Sequence, residues 1–281
     1  KIDTVINCAA NVKHFSAGTD IEDINYYAVL NLIEWCKTHG AALIQTSTTS
    51  VTGRQAVDRD DVLSEQSLYI GQDFAGNKYV TSKFMAERAV LQATANGDIA
   101  GKVVRLGNLA PRERDGEFQI NFSTNGFMNL LKSISLVGCY PYAMYSQSMD
   151  ISPIDDVARA IVLFAQTPDA CVLFHGNNAN RYSLGNFYYE ASQAGLDIHP
   201  VETDEFAAAL EEAKKDPAKL NALVGLMAYE GMGAGLKPVD YSNDYSDQIL
   251  LRMGFHWPVI SSGYVDRLVK QIEALGFFLL L

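Results

Sequence analysis

Residues 3–10, DTVINCAA, form an almost unbroken apolar run that ends in small residues, the pattern of a short strand buried on both faces. From about Asp20 to His39 the spacing becomes helical. Ile21, Ile24, Ala28, Leu32 and Trp35 fall on one stripe, and Gly40 stands where a left-handed cap ends a helix. AALIQTST reads as a second buried strand running into a hydroxyl-rich loop, residues 46–53. A further helix spans about 77–96, where Ser82, Ala86, Ala89 and Ala93 make a flat stripe that lets it lie close against a sheet. GKVVRLGNL, 101–109, is a third strand. Strand and helix alternating at this spacing predict parallel βαβ units with right-handed crossovers.

Beyond residue 110 the regularity loosens. A charged loop APRERDGEFQ, a helix near 125–136 and an aromatic loop CYPYAMYSQ precede SPIDDVARAIVLFAQ, a clear helix with Pro153 and Asp155 as start signals. CVLFHGNN is a fourth strand. From Ser183 onward helices are expected at 183–195, 203–215, 217–230, 243–253 and 262–275, and the glycines of EGMGAG, 230–235, follow a helix and read as a loop. The expected architecture is α/β: a parallel sheet built from 1–110 and 151–177, and a mainly helical lobe from 111–150 and 178–281. Ligands of open parallel sheets bind beyond the carboxyl ends of the strands, so loops 8–15, 46–54 and 107–116 are expected to converge.

With 33 acidic against 22 basic residues the formal net charge is −11, which opposes a sequence-independent grip on nucleic acid. The longest apolar run, GFFLLL, is far short of the roughly 20 residues that cross a bilayer. Cys8, Cys36, Cys139 and Cys171 are scattered in apolar surroundings, as reduced core thiols are, and the expected setting is cytoplasmic. His14, His39, His175, His199 and His256 show no metal-ligand spacing, and no metal site is expected.

Candidate chemistry begins with YVTSK, residues 79–83. In a helix Tyr79 and Lys83 share a face, and a cation within roughly 4–6 Å lowers a phenol's pKa by about 1–3 units, toward the range where proton transfer works. The alternative is a half-exposed tyrosine beside a solvated lysine. Thr48, at the end of the second strand, could hydrogen-bond a carbonyl oxygen held at the phenol, or be an ordinary loop hydroxyl. Asn31, at the edge of the first helical stripe, reads as a structural amide or as a member of a proton relay.

NCAA after the first strand, Asn31 in the next helix, STTSVTG after the second strand, YVTSK opening the third helix and RLGNL on the third strand follow the order of the extended short-chain dehydrogenase/reductases. More narrowly, VINCAANVKHF, RLGNLAPRERDGEFQIN and DISPIDDVARAI resemble the thioester reductase domains of nonribosomal peptide synthetases, and similarly carboxylic acid reductases and male-sterility-type acyl reductases. The resemblance implies Tyr79 as proton donor, Lys83 as holder of the nicotinamide ribose, Thr48 as orienter of the carbonyl and Asn31 in the relay. It implies cofactor contacts at Ala9, Ala10, Lys83, Gly107 and Asn108. The implied reaction is hydride transfer from NADPH to a thioester on the phosphopantetheine arm of a carrier protein, releasing an aldehyde and sometimes an alcohol. A free-metabolite epimerase or dehydrogenase, or a catalytically incomplete fragment, is the alternative.

One element of the family is missing. No strand, glycine-rich turn and helix of the pyrophosphate-binding kind precedes Asp3, so the chain reads as the part of a Rossmann-type sheet from the fourth strand on. The upstream half of the same polypeptide is the expected partner of that part, and without it the strand at 3–10 presents a bare edge.

Overall fold

The computed structural model describes residues 1–12, 18–119, 125–223, 226 and 236–279. His14 and the EGMGAG segment lie outside these. The chain divides into two compact units: residues 1–107, 157–177 and 233–256 form the first, and 108–156, 178–232 and 257–281 the second.

The first unit is built on a four-stranded parallel sheet of β1 (Thr4–Asn7), β2 (Ala42–Thr48), β3 (Gly101–Leu106) and β4 (Leu173–Gly176), in that spatial order. β2 is buried along nearly its whole length, which is why its sequence shows no alternation of apolar and charged positions. β1 lies at one edge and leaves Ile6 41% exposed. Between the strands run α1 (Ala28–His39), closed by Gly40 in the left-handed conformation, and α2 (Lys78–Ala95), whose first turn is capped by the Asn77 side chain accepting from the Val80 N–H at 3.1 Å. Ala86 and Val90 of α2 join Val29 and Cys36 of α1 over Leu43, Val103 and Leu173 on one face of the sheet. α3 (Ile154–Ala165) covers the other face, where the rings of Phe164 and Phe174 stack at 4.3 Å.

Lys102, at the start of β3, is buried and among the described residues forms no ion pair. Its ammonium donates to the carbonyls of Thr167, Pro168 and Cys171 and to the Thr167 hydroxyl, at 2.8–3.2 Å. These are groups that follow the end of α3, where a cation is favoured.

Residues 236–256, read from sequence only as a mostly helical stretch of the lobe, return to the first unit. Leu236–Pro238 pairs antiparallel with Arg54–Ala56, and Asp240–Tyr241 pairs parallel with Val62–Leu63. These short strands hold the loop that leaves β2. Its pivot is Gly53, at φ 62° and ψ −145°, a region open essentially to glycine alone. A Cβ here meets the Asp73 carbonyl at 2.6 Å, against a backbone that Arg54 and Asp73 lock by two 2.8 Å hydrogen bonds. Gly53→Ala is therefore expected to cost about 2 kcal/mol or more, measured by chemical denaturation.

The second unit has its own core, in which helices Gly126–Val137, Leu184–Gln193 and Ser262–Ala274 bury Phe127, Leu131, Phe187, Tyr188, Leu268 and Ile272. The aromatic loop forms a 3₁₀ turn, Tyr142–Ser146, against which Gly185 packs so closely that a Cβ would lie 2.7 Å from the Tyr145 backbone.

Candidate active site

The ends of β1 and β2 are cross-braced by side chains. Asn7 Nδ2 donates to Gln45 Oε1 at 2.8 Å, Gln45 Nε2 donates to the Thr46 carbonyl at 2.7 Å, and the Thr46 hydroxyl donates back to the Asn7 carbonyl at 2.9 Å. This ring fixes the Thr46 carbonyl, which accepts a 2.6 Å hydrogen bond from Lys83 Nζ. Lys83 is 2% exposed. Among the described residues its ammonium makes no other hydrogen bond and no ion pair. Burial without a close counter-charge brings its pKa down to about 8.

One turn earlier on α2, the Tyr79 phenol lies beside the Thr48 side chain, which favours the ionised form of the phenol. Thr48 also accepts from the Ser50 N–H at 3.1 Å, so its hydroxyl is held by the 3₁₀ turn Thr49–Thr52. Desolvation keeps the phenol above its ordinary pKa, and the neighbouring Thr48 hydroxyl offsets only part of that. The expected lowering by Lys83 is absent: the ammonium is turned to Thr46 and its charge does not reach the phenol oxygen strongly enough to outweigh burial.

Asn31 is a correction. Its side chain is exposed on α1 and joins none of these groups. The buried amide is Asn25, 1% exposed, in a π-helical turn, Asp23–Tyr27, just ahead of α1. Asn25 Oδ1 accepts from the Asn11 N–H at 2.8 Å, and its Nδ2 donates to the Asn11 carbonyl at 2.9 Å and to Ser82 Oγ at 3.1 Å. Ser82 in turn donates to the Tyr79 carbonyl at 2.8 Å. Asn25 thus ties the segment after β1 to the turn of α2 that carries Tyr79. Wider π turns often mark functional sites in helices.

Ala9 and Ala10 are exposed at the carboxyl end of β1, where the Ala9 N–H is held by Asn7 Oδ1 at 3.1 Å. Cys8 beside them feels the Lys83 charge, although desolvation still raises its thiol pKa. Gly107 follows β3 and is half-buried. Asn108 belongs to the second unit, where Asp150 accepts from its backbone N–H at 2.7 Å and its Nδ2 at 3.1 Å. Among the described residues no group of three His, Cys, Asp or Glu side chains is placed to hold a metal ion, and no helix is long and apolar enough to cross a membrane.

A parallel sheet whose second strand delivers a hydroxyl to a helix-borne Tyr-x-x-x-Lys defines the extended short-chain dehydrogenase/reductases, a class of nicotinamide-dependent oxidoreductases. Within that class the chain belongs to the male sterility protein family of NAD-binding domains, which matches residues 1–161. It is similar to the thiolation-reductase di-domain of an archaeal nonribosomal peptide synthetase, with 33% identity and a TM-score of 0.87 over 99% of this chain and 58% of that one. The chain thus spans a little over half the length of that relative. The reductase domain of an aureusimine biosynthetic cluster shares its fold at 24% identity, with a TM-score of 0.80 over 98% of this chain and 69% of that one. So does the Pseudomonas aeruginosa protein RMD, solved with NADPH, at 16% identity and a TM-score of 0.62 over 96% of this chain and 82% of that one. No curated protein matches the chain.

Proposed function

We propose that the chain carries the proton-donating site of an NADPH-dependent thioester reductase that releases an acyl or peptidyl group from a carrier protein as an aldehyde. The observation that carries this reading is the placement of the Tyr79 phenol beside Thr48, at the end of β2, with Lys83 one helical turn further along α2. The reductase part of the archaeal di-domain, to which the chain is one-third identical, sits beside a thiolation domain and supports a carrier-bound substrate.

The residues present fit a nicotinamide cofactor. Lys83 has N–H groups left over from its bond to Thr46, suited to ribose hydroxyls, and the small side chains of Ala9 and Ala10 leave the strand end open to a flat ring. Gly107, at the end of β3, is a further proposed contact. The cofactor, when bound, supplies the hydride that reduces the thioester carbonyl. Thr48 and Tyr79 donate to the carbonyl oxygen, where negative charge develops, and Tyr79 passes it a proton. The resulting thiohemiacetal loses the carrier thiol as its C–S bond breaks, leaving the aldehyde.

The test is the full polypeptide given an acyl-carrier thioester with NADPH or NADH. Expected are aldehyde and free carrier thiol in equal amounts, with NADPH preferred. Turnover of a free nucleotide sugar in place of the thioester would overturn the reading.

A further inference from the structure

A second set of buried charges stands behind Lys83. Glu87 lies one helical turn further along α2, and Glu87, Arg105 of β3 and His175 of β4 are each 0% exposed. Arg105 grips the carboxylate through Nε, at 3.1 and 3.2 Å, and Nη2, at 2.9 Å. Its remaining N–H groups go to the Ser67 carbonyl and to His175 Nε2, all at 3.3 Å. His175 Nδ1 contacts the Ser242 carbonyl at 2.7 Å, an acceptor, so Nδ1 carries the proton and Nε2 accepts from Arg105. The ring is therefore neutral, with a pKa lowered to about 3 by burial and by Arg105.

Lys83, Glu87 and Arg105 together leave one net positive charge in the interior. Among the described residues Cys8, from the end of β1, is the other titratable group that acts on Lys83, and Tyr79 lies one turn earlier on its own helix; both are neutral near pH 7, with pKa values raised by desolvation. Among the described residues Glu87 is then the negative charge that acts on Lys83, and it favours the charged lysine. It makes no ion pair with Lys83, because Arg105 occupies both of its oxygens.

We propose that Glu87, clamped by Arg105 and His175, is the positioning residue that keeps Lys83 charged and on the Thr46 carbonyl. Its carboxylate supplies the negative potential that a buried ammonium needs. Arg105 holds it one helical turn off, so that it cannot close onto Lys83 and draw the ammonium out of the site. The proposal rests on the reading that Lys83 serves the phenol and the cofactor.

Selective ¹⁵N labelling of lysine, with the Lys83 side-chain resonance assigned by its loss in Lys83→Met, follows its titration without substrate. In Glu87→Gln the midpoint is expected to fall by about one unit or more, because Arg105 then repels the ammonium unopposed. Glu87→Asp, which keeps the charge, is expected to stay within about half a unit of wild type. Should Glu87→Gln fail to fold with Arg105 unpaired, Glu87→Gln combined with Arg105→Met removes both charges, and its midpoint is expected to fall by a smaller amount. A midpoint that coincides with wild type in the folded charge-removing variant overturns the proposal. Absence of aldehyde in the thioester assay overturns the functional reading instead and leaves these midpoints standing.

Discussion

Tyr79→Phe is expected to lower turnover by about 10²- to 10⁴-fold, the usual contribution of a positioned general acid, with cofactor affinity nearly unchanged. The substitution removes one oxygen and keeps the ring that packs with Val51, Leu63 and Val80. The lost oxygen is the one beside Thr48, so a carbonyl seated there keeps one donor and has no proton source. Because burial holds the phenol above its ordinary pKa, it stays protonated across the neutral range and is ready to give a proton in the reductive direction. The alkaline limb of the wild-type profile should therefore follow Lys83, whose pKa is about 8, with activity full below that pH and falling above it. Steady-state rates in NADPH from pH 6 to 10, with cofactor binding measured by fluorescence titration, check both points. A Tyr79→Phe enzyme turning over within threefold of wild type removes the phenol from the chemistry.

Much of this site is written in local patterns. The spacing of Tyr79 and Lys83 needs only a helix, and Asn77 and the small residues after it specify that helix. Thr48 needs only the end of a strand, and AALIQTST is apolar enough to define one. Asn25 was harder to read because a π turn inserts an extra residue per turn and rotates everything around it. A regular 3.6-residue stripe puts Ile24 inside and Asn31 at its edge, whereas the buried positions are Ile21, Asn25, Val29 and Cys36 and Ile24 is 42% exposed. The signal that could have found Asn25 is its i+4 spacing from Ile21 and i−4 spacing from Val29. The return of residues 236–256 was not legible, because strands of two and three residues carry no period and their pairing is with residues about 180 positions earlier. The Glu87–Arg105–His175 set was unreadable for the same reason: its members sit on three elements and only the sheet register brings them side by side.

Lys83→Met is expected to abolish activity and to stabilise the fold at pH 7. The direction follows from the lysine's depressed pKa. In the unfolded chain it binds its proton up to about pH 10.5, and in the folded chain only to about 8, so below 8 the folded state bears the full penalty of a buried charge. That difference amounts to about 3 kcal/mol, and loss of the bond to Thr46 returns about 1 kcal/mol of it. Between pH 8 and 10.5 the wild-type lysine sheds its proton and the penalty fades, so the advantage of methionine should shrink with rising pH and be gone by about pH 10, where the lost bond to Thr46 offsets what remains. Urea unfolding of both proteins at pH 7 and pH 10 measures this. The expected result is a gain of about 2 kcal/mol at pH 7 and essentially none at pH 10. A variant destabilised equally at the two pH values means that Lys83 is bound as an ordinary structural cation, and the site then has no charged group held at a cost for the phenol and the cofactor to use.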